Sequence, residues 1–142
     1  MLDWDADSPV LRKNLATLLR RILVEARRRD KPRLASARNW HREFMSGLTV
    51  PNPAMVGEFR GEPGLLDVEV RIGHPRGIAP AGVAQALSAF ERRLQQAVKR
   101  LDELIPPNSK LSVDQLAALL ELCSWAHAEC VRIHPFANGN GR

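Results

Sequence analysis

Val83, Leu87, Phe90, Leu94, Val98 and Leu101 fall three or four residues apart, on one face of a single long helix running from about Ala81 to Leu104. An amphipathic stretch of that length must lay its apolar face against other elements. The rest of the sequence supplies mostly helices for that purpose.

Ser8 followed by Pro9 opens an earlier helix, because Ser caps orphan N–H groups and Pro is preset for the first turn. Leu11, Leu15, Leu18, Leu19, Ile22 and Leu23 mark its apolar face, and it should end before Pro32, near Arg29. A second helix is predicted from about Ala35 to Ser46, stopping at Gly47 and carrying Trp40, His41, Phe44 and Met45, with Trp40 and His41 read as packing residues. Pro51 and Pro53 exclude regular structure after it. The last helix begins after Ser112, which with Gln115 forms a capping-box pattern. It runs through Leu116, Leu119, Leu120, Leu122, Cys123, Ala126 and Cys130 to Ile133, and Pro135 ends it. Trp125 is read as core and Glu129 as an ion-pair partner of Arg132.

One segment departs from helical spacing. Leu66, Val68, Val70 and Ile72 alternate with Asp67, Glu69 and Arg71, the period of a strand. Gly61-Glu62-Pro63-Gly64 is a plausible turn, with Glu58-Phe59-Arg60 as the other arm of a hairpin over about 58–72. The resulting class is mainly α: a helical bundle with one β-hairpin.

The 142 residues suit one domain, and 44% hydrophobic content supports a real core. No stretch is apolar enough to span a membrane, and the acidic start Met1 to Asp7 lacks the order of a secretory signal, so the expected location is cytoplasmic. The net charge of +5 owes much to Arg20, Arg21, Arg27, Arg28, Arg29, Lys31 and Arg33, on or just past the first helix. That cluster reads as a solvated helix face with cations near its C-terminus rather than a nucleic-acid surface, for no recognition helix accompanies it. Cys123 and Cys130 lie about 10.5 Å apart on a helix, too far for a disulfide, and read as reduced, buried residues.

The chemistry is concentrated after the last helix, in His134-Pro135-Phe136-Ala137-Asn138-Gly139-Asn140-Gly141-Arg142. Gly and Asn permit positive φ, and successive N–H groups in such a loop can cradle an anion. Arg142 offers a bidentate phosphate donor, and His134 a base that titrates near neutrality. Phe136 reads as the loop's anchor in the core. His127 and His134, seven apart, lack an evident third ligand for a metal site.

This string resembles the His-Pro-Phe-x-(Asp/Glu)-Gly-Asn-Gly-Arg motif of Fic domains, and the resemblance extends upstream over about residues 36–142. Trp40 to Phe44, Gly57 to Arg60, Val68 to Ile72 and Leu122 to Ile133 each look like the family's corresponding stretch. The resemblance implies a Fic-like helical bundle with one β-hairpin flap, made of an N-terminal helix (1–34) packed on a Fic core (35–142). It implies a protein adenylyltransferase, with a toxin-like role among the options, moving AMP from ATP to a Ser, Thr or Tyr hydroxyl of a target protein. His134 would be the catalytic base. Asn138, Gly139, Asn140, Gly141 and Arg142 would bind the nucleotide phosphates, and Leu66, Val68 and Val70 would form the flap on which the target docks.

Asn138 stands where the family has an acidic ligand for Mg²⁺ or Mn²⁺, and so implies a weaker metal contact. Alternatives are a non-catalytic or weakly active nucleotide-binding module, or transfer of another phosphate-containing group. The family's phosphate-transferring branch has Lys at the position of Gly141, which favours AMP. The family pattern continues with a helix and a further arginine past the position of Arg142, so the expectation is a core truncated at its C-terminal end. The family's inhibitory Ser/Thr-x-x-x-Glu-Gly/Asn string does not occur in this chain. Inhibition would come from a separate antitoxin-like protein, from residues beyond Arg142, or not at all.

Overall fold

The computed structural model describes residues 8–73 and 76–140. Four α-helices stand out among them: α1 (Pro9–Ala26), α2 (Leu34–Phe44), α3 (Pro80–Leu104) and α4 (Val113–Ile133), with a 3₁₀ turn at Pro53–Met55. None of these helices is long and apolar enough to cross a membrane.

The helix starts follow local chemistry. The Ser8 hydroxyl accepts the Leu11 N–H at 3.1 Å, with Pro9 at the first helical position. Ser112 and Gln115 close a reciprocal capping box, each side chain accepting the other's N–H. For α2 the cap comes from elsewhere in the fold: Glu91 of α3 accepts the Leu34 N–H at 2.9 Å, a carboxylate at a helix N-terminus. Asn14 of α1 serves the opposite end, donating to the Phe44 and Ser46 carbonyls at 3.0 and 2.7 Å. α1 ends at Ala26, short of the predicted Arg29, which lies in a left-handed turn.

The helices pack in two pairs, α1 on α2 and α3 on α4. Leu11, Leu18, Phe44 and Met45 form the first core. Val83, Leu87, Phe90 and Ile133 form the second, joined by Phe59 from the α2–α3 connection and Phe136 from the loop after α4. Trp125 lies against this core, 5.5 Å from Phe90, and Glu129 pairs with Arg132 at 2.6 Å.

Three expectations need correcting. Leu23 of α1 is 66% exposed and Leu19 is exposed as well, because α2 covers only the Leu11–Leu18 stripe. Cys123 is exposed rather than buried. The segment 58–72 forms no strand ladder, and Glu58-Phe59-Arg60 is not the partner of Leu66–Ile72. Instead the chain folds back sooner. Gly61 donates to the Leu65 carbonyl at 2.9 Å, and the one β-bridge among the described residues joins Arg71 to Arg76, next to a Gly77 N–H donated to Val70. The alternation belongs to a loop in which the Val68 carbonyl bonds inward to one side chain and the Val70 carbonyl to the Gly77 N–H.

Candidate functional site

That side chain is Arg60, 1% exposed. Its Nε donates to the His134 carbonyl at 2.6 Å. Its two terminal nitrogens reach Val68, Ile78 and Ile133 carbonyls at 3.0, 2.8 and 2.9 Å. Its own N–H donates to Pro135 O at 2.8 Å. A buried guanidinium thus closes the C-terminal end of α4, where the helix dipole favours a cation, and ties both ends of the 68–78 loop to the chain that enters the motif.

His134 is the C-cap of α4 and takes the left-handed conformation, φ 51°, with its N–H donated to Cys130 O at 2.8 Å. A non-glycine residue held there costs of order 1 kcal/mol, and the Arg60 and Cys130 bonds hold it in place. Its Nδ1 is buried and makes no hydrogen bond of good geometry among the described residues, the Val131 carbonyl being near enough only to act on the ring electrostatically. Burial lowers its pKa below the ordinary histidine value, the Val131 carbonyl opposes this, and the positive charge of Arg60 adds to it.

The loop beyond is built by its own asparagines. Asn140 accepts the Phe136 N–H and donates to the Phe136 carbonyl, both at 2.8 Å, closing a small ring. Asn138 Oδ1 accepts the Gly139 N–H at 2.7 Å. Two expected roles therefore occupy one another: the side-chain oxygen expected to touch metal holds the N–H expected to touch phosphate. Asn140 structures the loop through its side chain. Gly139 has φ +81°, and a Cβ there would sit 2.3 Å from Phe44 Cζ, so only glycine fits between loop and α2. Gly141 and Arg142 lie outside the described residues.

His41, read from sequence as a packing residue, lies under this loop at 2% exposure. Its Nε2 is 2.9 Å from the Asn138 carbonyl, and its Nδ1 accepts the Gly57 N–H at 2.9 Å. A carbonyl can only accept, so Nε2 carries the proton and the ring is the neutral Nε2–H tautomer. The ring stacks on Phe136 at 3.9 Å and meets the edge of Phe44 at 4.9 Å. Burial lowers its pKa, the Asn138 carbonyl opposes, and Arg42 adds to the lowering. Only a contact with a residue 97 positions away separates this role from packing, and no local pattern encodes it.

Arg38 braces the same region. Its guanidinium donates to both Glu62 oxygens, to Glu58 and to Gly57 O, and lies 4.0 Å over the Phe59 ring. The loop's inner side borders a cavity of about 230 Å³ lined by Leu18, Ile22, Trp40, Phe90, Phe136 and Asn140. Nearly all of that lining is apolar and unsuited to phosphate, so a polyanion would have to meet the loop from its outer side. Among the predicted flap residues, Leu66 is exposed while Val68 and Val70 are half-buried.

A sequence model of the Fic/DOC family matches residues 32–142. The chain belongs to the Fic/DOC family. No curated protein and no solved structure matches it. The matched span of this Fic/DOC chain takes in α2, the Arg60 hub, α3, α4 and the whole His134–Arg142 string, while α1 precedes it. Members of this family generally transfer nucleotide-derived groups.

Among the described residues, Asn138 is the side chain expected to meet a divalent cation, and it is a weak donor for one. Asn138 offers a neutral oxygen already engaged by Gly139, and the described residues hold no cluster of three or more His, Cys, Asp or Glu side chains placed to bind one.

Proposed function

We propose that this Fic/DOC chain is a protein adenylyltransferase, moving AMP from ATP to a Ser, Thr or Tyr hydroxyl of a target protein. The observation that carries the reading is the placement of His134. It ends α4 with a buried Nδ1 and a lowered pKa, immediately before a glycine loop pinned from below.

In this reading His134 acts as general base through Nε2, since Nδ1 is shut off from solvent. It takes the proton of the target hydroxyl, whose oxygen attacks the α-phosphate in line. The bond from that phosphorus to the bridging oxygen breaks, and pyrophosphate leaves. ATP enters as its Mg²⁺ or Mn²⁺ complex, the metal carried by the phosphate oxygens. N–H groups of the Gly139–Gly141 stretch and the Arg142 guanidinium receive the phosphates, and the Asn138 side chain releases Gly139 when they arrive. The loop that carries Leu66, Val68 and Val70 serves as the flap on which the target docks, anchored through Val68 and Ile78 by Arg60. A cytoplasmic location belongs to the same proposal, with a separate inhibitory protein as one option for its control.

The test is transfer of label to a protein acceptor from a cell lysate. α-Labelled ATP should label protein and γ-labelled ATP should not. Label from the γ-phosphate alone would overturn AMP transfer in favour of a phosphate-transferring enzyme.

The Asn138–Gly139 contact favours a second reading, a module that binds nucleotide without turning it over. It predicts ATP binding with no label transferred from either position.

A further inference from the structure

The loop that carries the chemistry is not self-supporting. Asn140 closes the Phe136–Asn140 ring, but that ring is local and says nothing about where the loop sits relative to the rest of the fold. Among the described residues, two contacts stand out in holding it against α2. One is the fit of Gly139 against Phe44, which is steric. The other is the His41 ring, which bonds two separate chain segments with opposite polarity: it donates to Asn138 O and accepts from Gly57 N–H.

Both bonds run through one buried ring, stacked on Phe136. Turning it over would set Nδ1 and Nε2 against the wrong partners. A shift of either segment therefore costs a buried hydrogen bond, and the glycine loop and the Gly57–Arg60 segment are held in one register.

We infer that His41 is a positioning residue for the nucleotide loop, its Nε2–H holding the Asn138 carbonyl so that the Gly139 and Asn140 backbone is in place to receive phosphate once the Asn138 side chain releases the Gly139 N–H. The ring touches neither ATP nor target and acts through the loop alone. The affinity part of this inference rests on the nucleotide reading above; the loop geometry does not.

Two substitutions separate the halves of the clamp. Gln can place an amide N–H where Nε2–H stands, and Asn can place an oxygen where Nδ1 stands. Both lose the stacked ring, so both should melt below the wild type. In His41→Asn, ATP affinity should fall on the order of tenfold, the worth of one well-made buried hydrogen bond, and KM for ATP should rise more than kcat falls. In His41→Gln, affinity should return to within about threefold of wild type by the same arithmetic. Amide exchange over Phe136–Asn140 without ligand should quicken in His41→Asn and not in His41→Gln. Ring ¹⁵N shifts of the wild type should show a proton on Nε2 and a bare Nδ1.

Equal losses of affinity and equal exchange in the two variants would reduce His41 to packing and overturn the inference, as would a proton on Nδ1. If the wild type binds no ATP, the nucleotide reading fails, and exchange alone decides the clamp: faster in His41→Asn sustains it, unchanged overturns it.

Discussion

Arg60 Nε donates to the backbone carbonyl of His134 at 2.6 Å. Through this bond a fully buried cation holds the residue with the candidate base chemistry in a left-handed conformation that histidine adopts only at a cost. Arg60 faces no carboxylate at hydrogen-bond distance among the described residues; its partners are carbonyls. Truncation to Met should leave four carbonyls short of a donor and cost about 3 kcal/mol or more in urea unfolding. Lys keeps the charge but not the fork, so Arg60→Lys should cost a smaller but clear amount. Equal stability of Arg60→Met and wild type would remove the hub from this account.

Gly139 is expected to tolerate no side chain. With φ +81° and a Cβ 2.3 Å from Phe44 Cζ, Gly139→Ala must displace loop or ring. A loss of about 2 kcal/mol is expected from overpacking and the strained φ together, with weakened ATP binding. Adding Phe44→Leu should recover part of the stability by making room, but not all, because the backbone strain persists. Thermal melts of the single and double variants check this.

Acid should weaken both fold and activity in a defined window. His41 and His134 are each held below the ordinary histidine pKa, first by burial. The unfolded chain therefore binds more protons than the folded one as pH falls below about 6.5. Their contribution to stability is complete above that pH, is lost as pH falls through the folded-state values, and changes no further below them. The same lowering keeps His134 neutral further into acid, so the acid limb of kcat/KM should lie below pH 6.5. An acid limb above that value would contradict the assignment of His134 as base.

Asn138→Asp should change the metal response. A carboxylate supplies the charged oxygen that a hard cation prefers, and transfer should saturate at lower Mg²⁺ concentration than in the wild type. A titration of activity against Mg²⁺ reads this directly. An identical Mg²⁺ midpoint in both proteins would show that this side chain does not meet the metal.

Much of the fold was legible because its signals are local. Ser8-Pro9 and the Ser112–Gln115 box sit beside the helices they start, and the α3 stripe needs only its own spacing. The glycine-asparagine string was legible for the same reason. What escaped is what depends on distant partners. Residues 66–72 alternate like a strand, yet Val68 O is taken by Arg60 and Val70 O by Gly77, so no ladder forms over 58–72. His41 looks like any aromatic on an amphipathic helix until Asn138 and Gly57 are placed on its two nitrogens. Cys123 and Leu23 lie on helices with apolar faces wider than the surfaces that cover them.

If His134 performs the proton transfer on which AMP transfer depends, His134→Ala should lose transfer while keeping the nucleotide. With the fold confirmed by its melt, ATP binding and α-phosphate transfer are measured side by side. Affinity should stay within about threefold while transfer falls by about 10²–10⁴, the usual contribution of a positioned base. Transfer that survives in His134→Ala at the wild-type rate would contradict it.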